Sequence, residues 1–302
     1  MIREEKFSTS CTDGVVLKGL LLIPDNPKAV IQFNTGTAAL KEFYKPFLEY
    51  LAEHNYLCCL WDYRGSGESA PDSLKGCEYK FSDYGTLDMP AIRNYLKSNY
   101  PDLPLLLVGH SAGGQQAAFI PNLEDYKGML AIAVSVGYEP NMPWSYRLQS
   151  MFFFDIFCPL STLIWGYVKA KPFGIMENLP KNVALEWHHW CSSPNYCFDE
   201  KFLGKTIPKG NHEAMPFPIE VIWTPDDTIS NEKNMKAYWS HVKSVYDITF
   251  TKLEASELEV KEIGHFGFFK RRLKKKIWAV MLEKLNGLQM NQRIKQKKAS
   301  KN

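Results

Sequence analysis

The stretch "LLLVGHSAGGQQAAF", Leu105 to Phe119, decides how this chain is read. An apolar run ends at Gly109, His110 and Ser111 follow, and beyond Gly113 and Gly114 the spacing turns helical. A strand that passes into a helix through a tight turn leaves little space for neighbouring Cβ atoms. Gly109 and Gly113, two residues either side of Ser111, supply that space, and the pentapeptide has the form G-x-S-x-G. Such a turn exposes the serine hydroxyl. The helix N-terminus behind it offers unpaired N–H groups and a positive dipole end, both of which favour developing negative charge. The alternative is a glycine-rich loop with an incidental serine.

The surrounding chain favours the turn. "KFSTSCT", the Asp13-Gly14 turn and "VVLKGLLLIP" predict two strands. "AVIQFN", "YLCCLWD", "PLLLVG" and "GMLAIAVSVG" are short apolar runs that read as buried strands. "FYKPFLEYLAEH" and "DMPAIRNYLKSNY" have helical spacing between them. Strand and helix alternate at short intervals, which predicts βαβ units and a mostly parallel sheet flanked by helices. From Tyr138 to about Asn211 the rhythm gives way to an aromatic, proline-rich stretch, then resumes with "FPIEVIWT", a helix near 231–241, "DITFTKL" and a last helix. The expected organisation is therefore a core of residues 1–137 and 212–288, an inserted cap or lid over 138–211, and a basic disordered tail over 289–302. Ligands bind outside the carboxyl ends of strands in open α/β sheets. The cap leaves the core at such an end, so Trp144, Phe152 and Trp165 are candidates to line a substrate pocket; packing of the cap onto the core is the competing role.

Composition limits the partners. The 302 residues are 45% hydrophobic, enough for a folded core, and 36 basic against 33 acidic residues leave a formal charge of +3. A balance that close gives no reason to expect a nucleic acid. The basic residues gather between Lys270 and Lys276 and in "QRIKQKKASKN", a solvated helix face and tail or, on the sharper reading, a contact for an anionic membrane surface. "MFFFDIFCPLSTLIWGYV", Met151 to Val168, is oily, but Asp155 and Pro159 interrupt it, so an apolar surface element is expected rather than a span. The start shows no secretory signal and the cysteines number 7, which reads as reduced thiols in the cytoplasm.

A serine hydroxyl needs a base. Of the 7 histidines, His265 in "EIGHFGFF" follows the last expected strand, where a loop at the carboxyl edge of the sheet can reach Ser111. His110, beside the serine, should point away. The base in turn needs an acid, and "VIWTPDDTIS" offers Asp226 and Asp227 directly after a buried strand; one of them can serve instead as a turn or capping residue.

The order Ser, Asp, His, with "GHSAGG", "DYRGSGES", "WTPDDTIS" and "GHFGFF", resembles the α/β-hydrolase superfamily over nearly the whole chain. "FYKPFLEYLAEHNY", "SDYGTLDMPA" and "LPKNVALEWHHWC" look most like a poorly characterised branch of predicted bacterial hydrolases. The resemblance implies an α/β-hydrolase fold, Asp227 as the acid, and backbone N–H groups of Thr37 and Ala112 as oxyanion donors. The His-Gly pair usual after the third strand is here Thr35-Gly36. It implies acyl transfer from an ester, thioester or amide through Ser111, His265 and Asp227, on a small-molecule acyl substrate, without metal or cofactor. An acyltransferase on the same residues and a non-catalytic scaffold are the alternatives. His188, His189, Cys191 and Cys197 lie close in sequence, but their spacing matches no familiar zinc site. "GHSAGG" lacks the lysine of a nucleotide loop.

Overall fold

The computed structural model describes the backbone of residues 1–299 and the side chains of residues 1–289. Its elements run β1 (Ile2–Ser10), β2 (Val16–Pro24), β3 (Ala29–Asn34), α1 (Lys41–Glu53), β4 (Tyr56–Trp61), α2 (Met89–Asn99), β5 (Leu105–His110), α3 (Ala112–Gln115) and β6 (Tyr126–Ile132). There follow α4 (Trp144–Met151), α5 (Cys158–Trp165), α6 (Lys181–Cys191), β7 (Ile219–Trp223), α7 (Glu232–His241), β8 (Ile248–Lys252), α8 (Gly264–Gly267) and α9 (Ala279–Ala299).

The strands form one 8-stranded sheet in the order β1-β2-β4-β3-β5-β6-β7-β8. β1 pairs antiparallel with β2 and β2 with β4, while β3 to β8 pair in parallel. The short apolar runs are explained by burial on both faces. In β5, Leu105 and Leu107 enter one core cluster and Leu106 and Val108 the other, so no position faces water and no polar alternation survives. One face is covered by α1, through Phe47 and Leu48, and by α9 with the turn before it, through Leu285 and Trp278. The other is covered by α2, α6 and α7, through Ile92, Trp190 and Tyr238.

Three local expectations change. The helix after Ser111 lasts only to Gln115 before tightening into a 3₁₀ turn over Gln116–Phe119, as two glycines at its start and Pro121 beyond give it little to propagate on. Asp155 and Pro159 do not interrupt the oily stretch: α4 continues through a π-helical turn at Phe152–Phe157 into α5, which absorbs the donor that Pro159 lacks. By length and composition this helix, Trp144–Trp165, could cross a membrane. Its inner side, however, packs on the protein through Phe153, Phe154 and Cys158, and the chain returns from it to β7. Lastly, α9 runs to Ala299, so residues 289–299 stand in a helix where a disordered tail was expected. No glycine or proline follows Gly287 there, and Lys, Gln, Arg and Ala sustain helix. The rest of that tail, 300–302, lies outside the described residues.

Candidate active site

β5 delivers Ser111 to the carboxyl edge of the sheet with a positive φ, 50°, and ψ −120°, a combination that a non-glycine residue adopts only under strain. The turn holds because its neighbours have no side chains. A Cβ on Gly109 would strike the backbone of Gly114, and one on Gly113 would strike the carbonyl of Asn34. Ser111 N–H donates to the Ile132 carbonyl at 2.9 Å, tying the turn to β6.

His265 sits in the short α8, and its Nε2 lies 2.9 Å from Ser111 Oγ. Its Nδ1 lies 2.7 Å from Asp227 Oδ2. A carboxylate only accepts, so Nδ1 carries the proton and Nε2 is left to accept from the serine hydroxyl. Asp227, buried after β7, takes two further hydrogen bonds on Oδ1, from the N–H groups of Ile229 and Ser230, each at 2.8 Å. The neighbouring Asp226 does different work. Its carboxylate accepts from the N–H groups of Ile263 at 2.8 Å and Gly264 at 3.0 Å, and from Thr224 Oγ1 at 2.8 Å. One aspartate thus holds the imidazole and the other holds the loop that carries it.

His110, the neighbour of Ser111, has its own partners. Its Nε2 lies 3.0 Å from the His265 carbonyl, which can only accept, so Nε2 bears the proton. Nδ1 then accepts from the Tyr44 hydroxyl at 2.8 Å, and Tyr44 Oη in turn accepts from the N–H of Gly36 at 3.1 Å. Burial, with the nearby His265, pushes His110 well below the usual imidazole range, so it stays neutral. This chain links the Gly36 loop to the backbone of His265 through two buried side chains. Its partners are 66 and 155 residues from His110 in sequence.

Thr37 follows Gly36, and Ala112 opens α3. Among the described residues, no hydrogen bond is donated by the N–H of either. A helix-opening N–H has no intrahelical acceptor, so that of Ala112 is available. Thr37 and His265 line a cavity of about 690 Å³ together with Phe43, Tyr146, Trp187 and Phe266. Tyr146 and Trp187 come from the segment between β6 and β7, and burial, then the charge of Asp227, pushes the Tyr146 phenol up to about 12. Trp144, Phe152 and Trp165 are not among the residues lining this cavity. Trp144 and Phe152 are instead exposed on the opposite side of their helix. The phase of that helix is hard to read because Phe152, Phe153 and Phe154 are consecutive and the π-helical turn shifts it.

The glycine-serine loop "DYRGSGES" has a structural part. Arg64 Nε donates to Asp88 at 2.6 Å and its Nη1 to Asp13 at 2.7 Å, while Asp62 holds the Lys41 ammonium at 2.5 Å. Four of these five charges are buried and Asp13 is exposed; removing one partner would strand a buried charge. His188 stacks on Phe154 at 4.8 Å and faces Asp155 at 3.3 Å, whereas Cys191 and Cys197 are buried.

Residues 25–172, just under half the chain, match the family model for serine aminopeptidase, S33. A search of curated protein sequences finds no match. Among solved structures, the Pyrococcus furiosus esterase Pf2001 is similar over 95% of this chain and 92% of its own, with a TM-score of 0.60 and 17% identity. A thermostable carboxyl esterase from Bacillus coagulans is similar over 96% and 100%, with a TM-score of 0.62 and 14% identity. The N-acyl homoserine lactone degrading enzyme Est816 is similar over 92% and 99%, with a TM-score of 0.57 and 17% identity. At these identities the likeness establishes the fold.

Proposed function

We propose that the chain is a hydrolase of the α/β-hydrolase superfamily that cleaves an ester-type bond of an apolar acyl substrate through Ser111, His265 and Asp227. The observation that carries this reading is the unbroken relay from Ser111 Oγ to His265 Nε2 at 2.9 Å and from His265 Nδ1 to Asp227 at 2.7 Å. The strained serine beside it adds support.

Ser111 Oγ attacks the carbonyl carbon as its proton passes to His265 Nε2. The carbonyl π pair moves onto oxygen, and the N–H groups of Thr37 and Ala112 receive that oxyanion; one such donor contributes about 3 kcal/mol to the transition state. Asp227 stabilises the imidazolium without taking its proton. When the tetrahedral intermediate collapses, the leaving group departs with the proton from Nε2 and an acyl-serine remains. Water, deprotonated by the same nitrogen, repeats the sequence and frees the acid and Ser111.

The cavity supports an apolar acyl group, since Phe43, Tyr146, Trp187 and Phe266 surround the approach to His265. Residues 138–211 act as its cap, because Tyr146 and Trp187 reach it from that segment. Seven free cysteines suit a reducing compartment such as the cytoplasm.

A panel of nitrophenyl esters, thioesters and anilides of increasing acyl length tests the reading. Turnover of esters that rises with chain length supports it. No turnover of any member by folded protein overturns it, and equal rates for all lengths remove the apolar pocket from it.

A further inference from the structure

The outer side of the helix Trp144–Trp165 has no use in this chemistry. Leu148, Phe152, Ile156, Leu160, Leu163 and Ile164 recur on it at steps of three or four residues, and Leu163 is 82% exposed. A helix of 22 residues presents this face over roughly 33 Å, far more contiguous apolar surface than solvent normally meets on one element. Its inner side is already packed through Phe153, Phe154, Cys158 and Ser161. The helix therefore lies along the protein surface rather than spanning anything.

The charges say what covers it. Each end pairs a tryptophan with a cation: Arg147 lies 5.9 Å from the Trp144 ring and Lys169 lies 5.3 Å from the Trp165 ring. The stem of Lys75 lies against the turn at Gly166, directly after the helix. The one acidic group along the helix, Asp155, faces His188 at 3.3 Å. An apolar stripe with amphipathic rings and cations at its margins matches the headgroup layer of an anionic bilayer. A second copy of this chain fits less well. Two-fold pairing with antiparallel helices sets Arg147 against the partner's Lys169, and with parallel helices each cation meets its own equivalent.

We propose that this face docks on a bilayer containing anionic lipid, with the helix lying flat in the interfacial layer. Phe173 and Ile175, both exposed, continue the apolar surface from the helix toward the cavity: Phe173 lies 5.5 Å from Phe157, and Ile175 lines the cavity. Docking thus sets the cavity rim beside the lipid. The proposal stands apart from the catalytic reading, because binding is measured without turnover.

The test is co-sedimentation of the full chain with vesicles of phosphatidylcholine, alone or mixed with phosphatidylglycerol. The protein sediments with the mixed vesicles, and Ile156→Glu with Leu163→Glu weakens that binding by about tenfold or more. The same variant retains its circular dichroism and its rate on a short, water-soluble ester. Should that pair unfold the chain, Arg147→Gln with Lys169→Gln reads the same contact from its ends, with a loss confined to the anionic vesicles. No sedimentation of folded wild type overturns the proposal, as does equal binding to both vesicle types. Binding that survives the face variant but disappears when Lys295, Lys297 and Lys298 become glutamine assigns it to the tail instead. A wild-type dimer that the face variant converts to monomer assigns the face to a second copy.

Discussion

The inserted segment has two sides that solve opposite problems. Its inner side meets the carboxyl edge of the sheet, where the polar groups around Ser111 are held in partnered geometry: His265 by Asp227, Asp227 by two N–H groups, and the histidine loop by Asp226. Its outer side is a run of apolar side chains that no described residue covers. The first is fixed by directional bonds, so a lost atom is costly. The second rests on area and charge, so single atoms there matter little to the fold.

The largest effects are expected on the inner side. Ser111→Ala removes the proposed nucleophile and should lower kcat by about 10⁶-fold, leaving what oxyanion donors and binding provide. Asp227→Asn keeps the shape but favours the wrong imidazole tautomer, so kcat should fall about 10⁴-fold with KM little changed. Asp226→Asn is the informative contrast. It loosens the loop without touching the imidazole, so unfolding titrations should show a loss of about 1–2 kcal/mol and kcat should drop only about tenfold. Equal losses for the two aspartates would contradict their separate roles.

Tyr44→Phe probes the second layer. It leaves the Gly36 N–H and His110 Nδ1 buried without partners, which should destabilise the fold by about 2–4 kcal/mol in denaturant titrations. His110 also gives the stability a pH dependence. Its folded pKa lies well below the ordinary value, so between the two the unfolded chain binds a proton that the folded chain does not. Above the ordinary imidazole range both states are neutral and the penalty is absent. As pH falls below about 6.5, His110 should cost up to about 1.4 kcal/mol per pH unit, until the folded pKa is reached. His110→Gln should flatten that slope. On the outer side, Ile156→Glu with Leu163→Glu should leave hydrolysis of a soluble ester within about twofold of wild type, as exposed positions far from the reacting atoms do.

What the sequence revealed follows from how local each signal is. Ser111 was legible because steric demands on Gly109 and Gly113 fall within five residues. His265 was legible because the loop after the last strand must lie at the same sheet edge. Between Asp226 and Asp227 the residues alone left the choice open, since both follow the same strand and both carboxylates are used. The Tyr44–His110 link had no local mark at all. The cavity lining was misplaced for a different reason: a segment with apolar residues on every side has no readable phase. Trp144, Phe152 and Trp165 were therefore named, whereas Tyr146 and Trp187 line the cavity. The loop "DYRGSGES" was noticed, but its purpose depends on Asp13, Asp83 and Asp88, which only the fold brings to Arg64.

The most direct measurement is intact-mass and peptide analysis after exposure to a fluorophosphonate. A single adduct located on Ser111, absent from the Ser111→Ala variant and slowed by several orders of magnitude in His265→Ala, is the predicted result. Folded wild-type protein that takes no label, or a label that persists in Ser111→Ala, would contradict the assignment of Ser111 as the nucleophile.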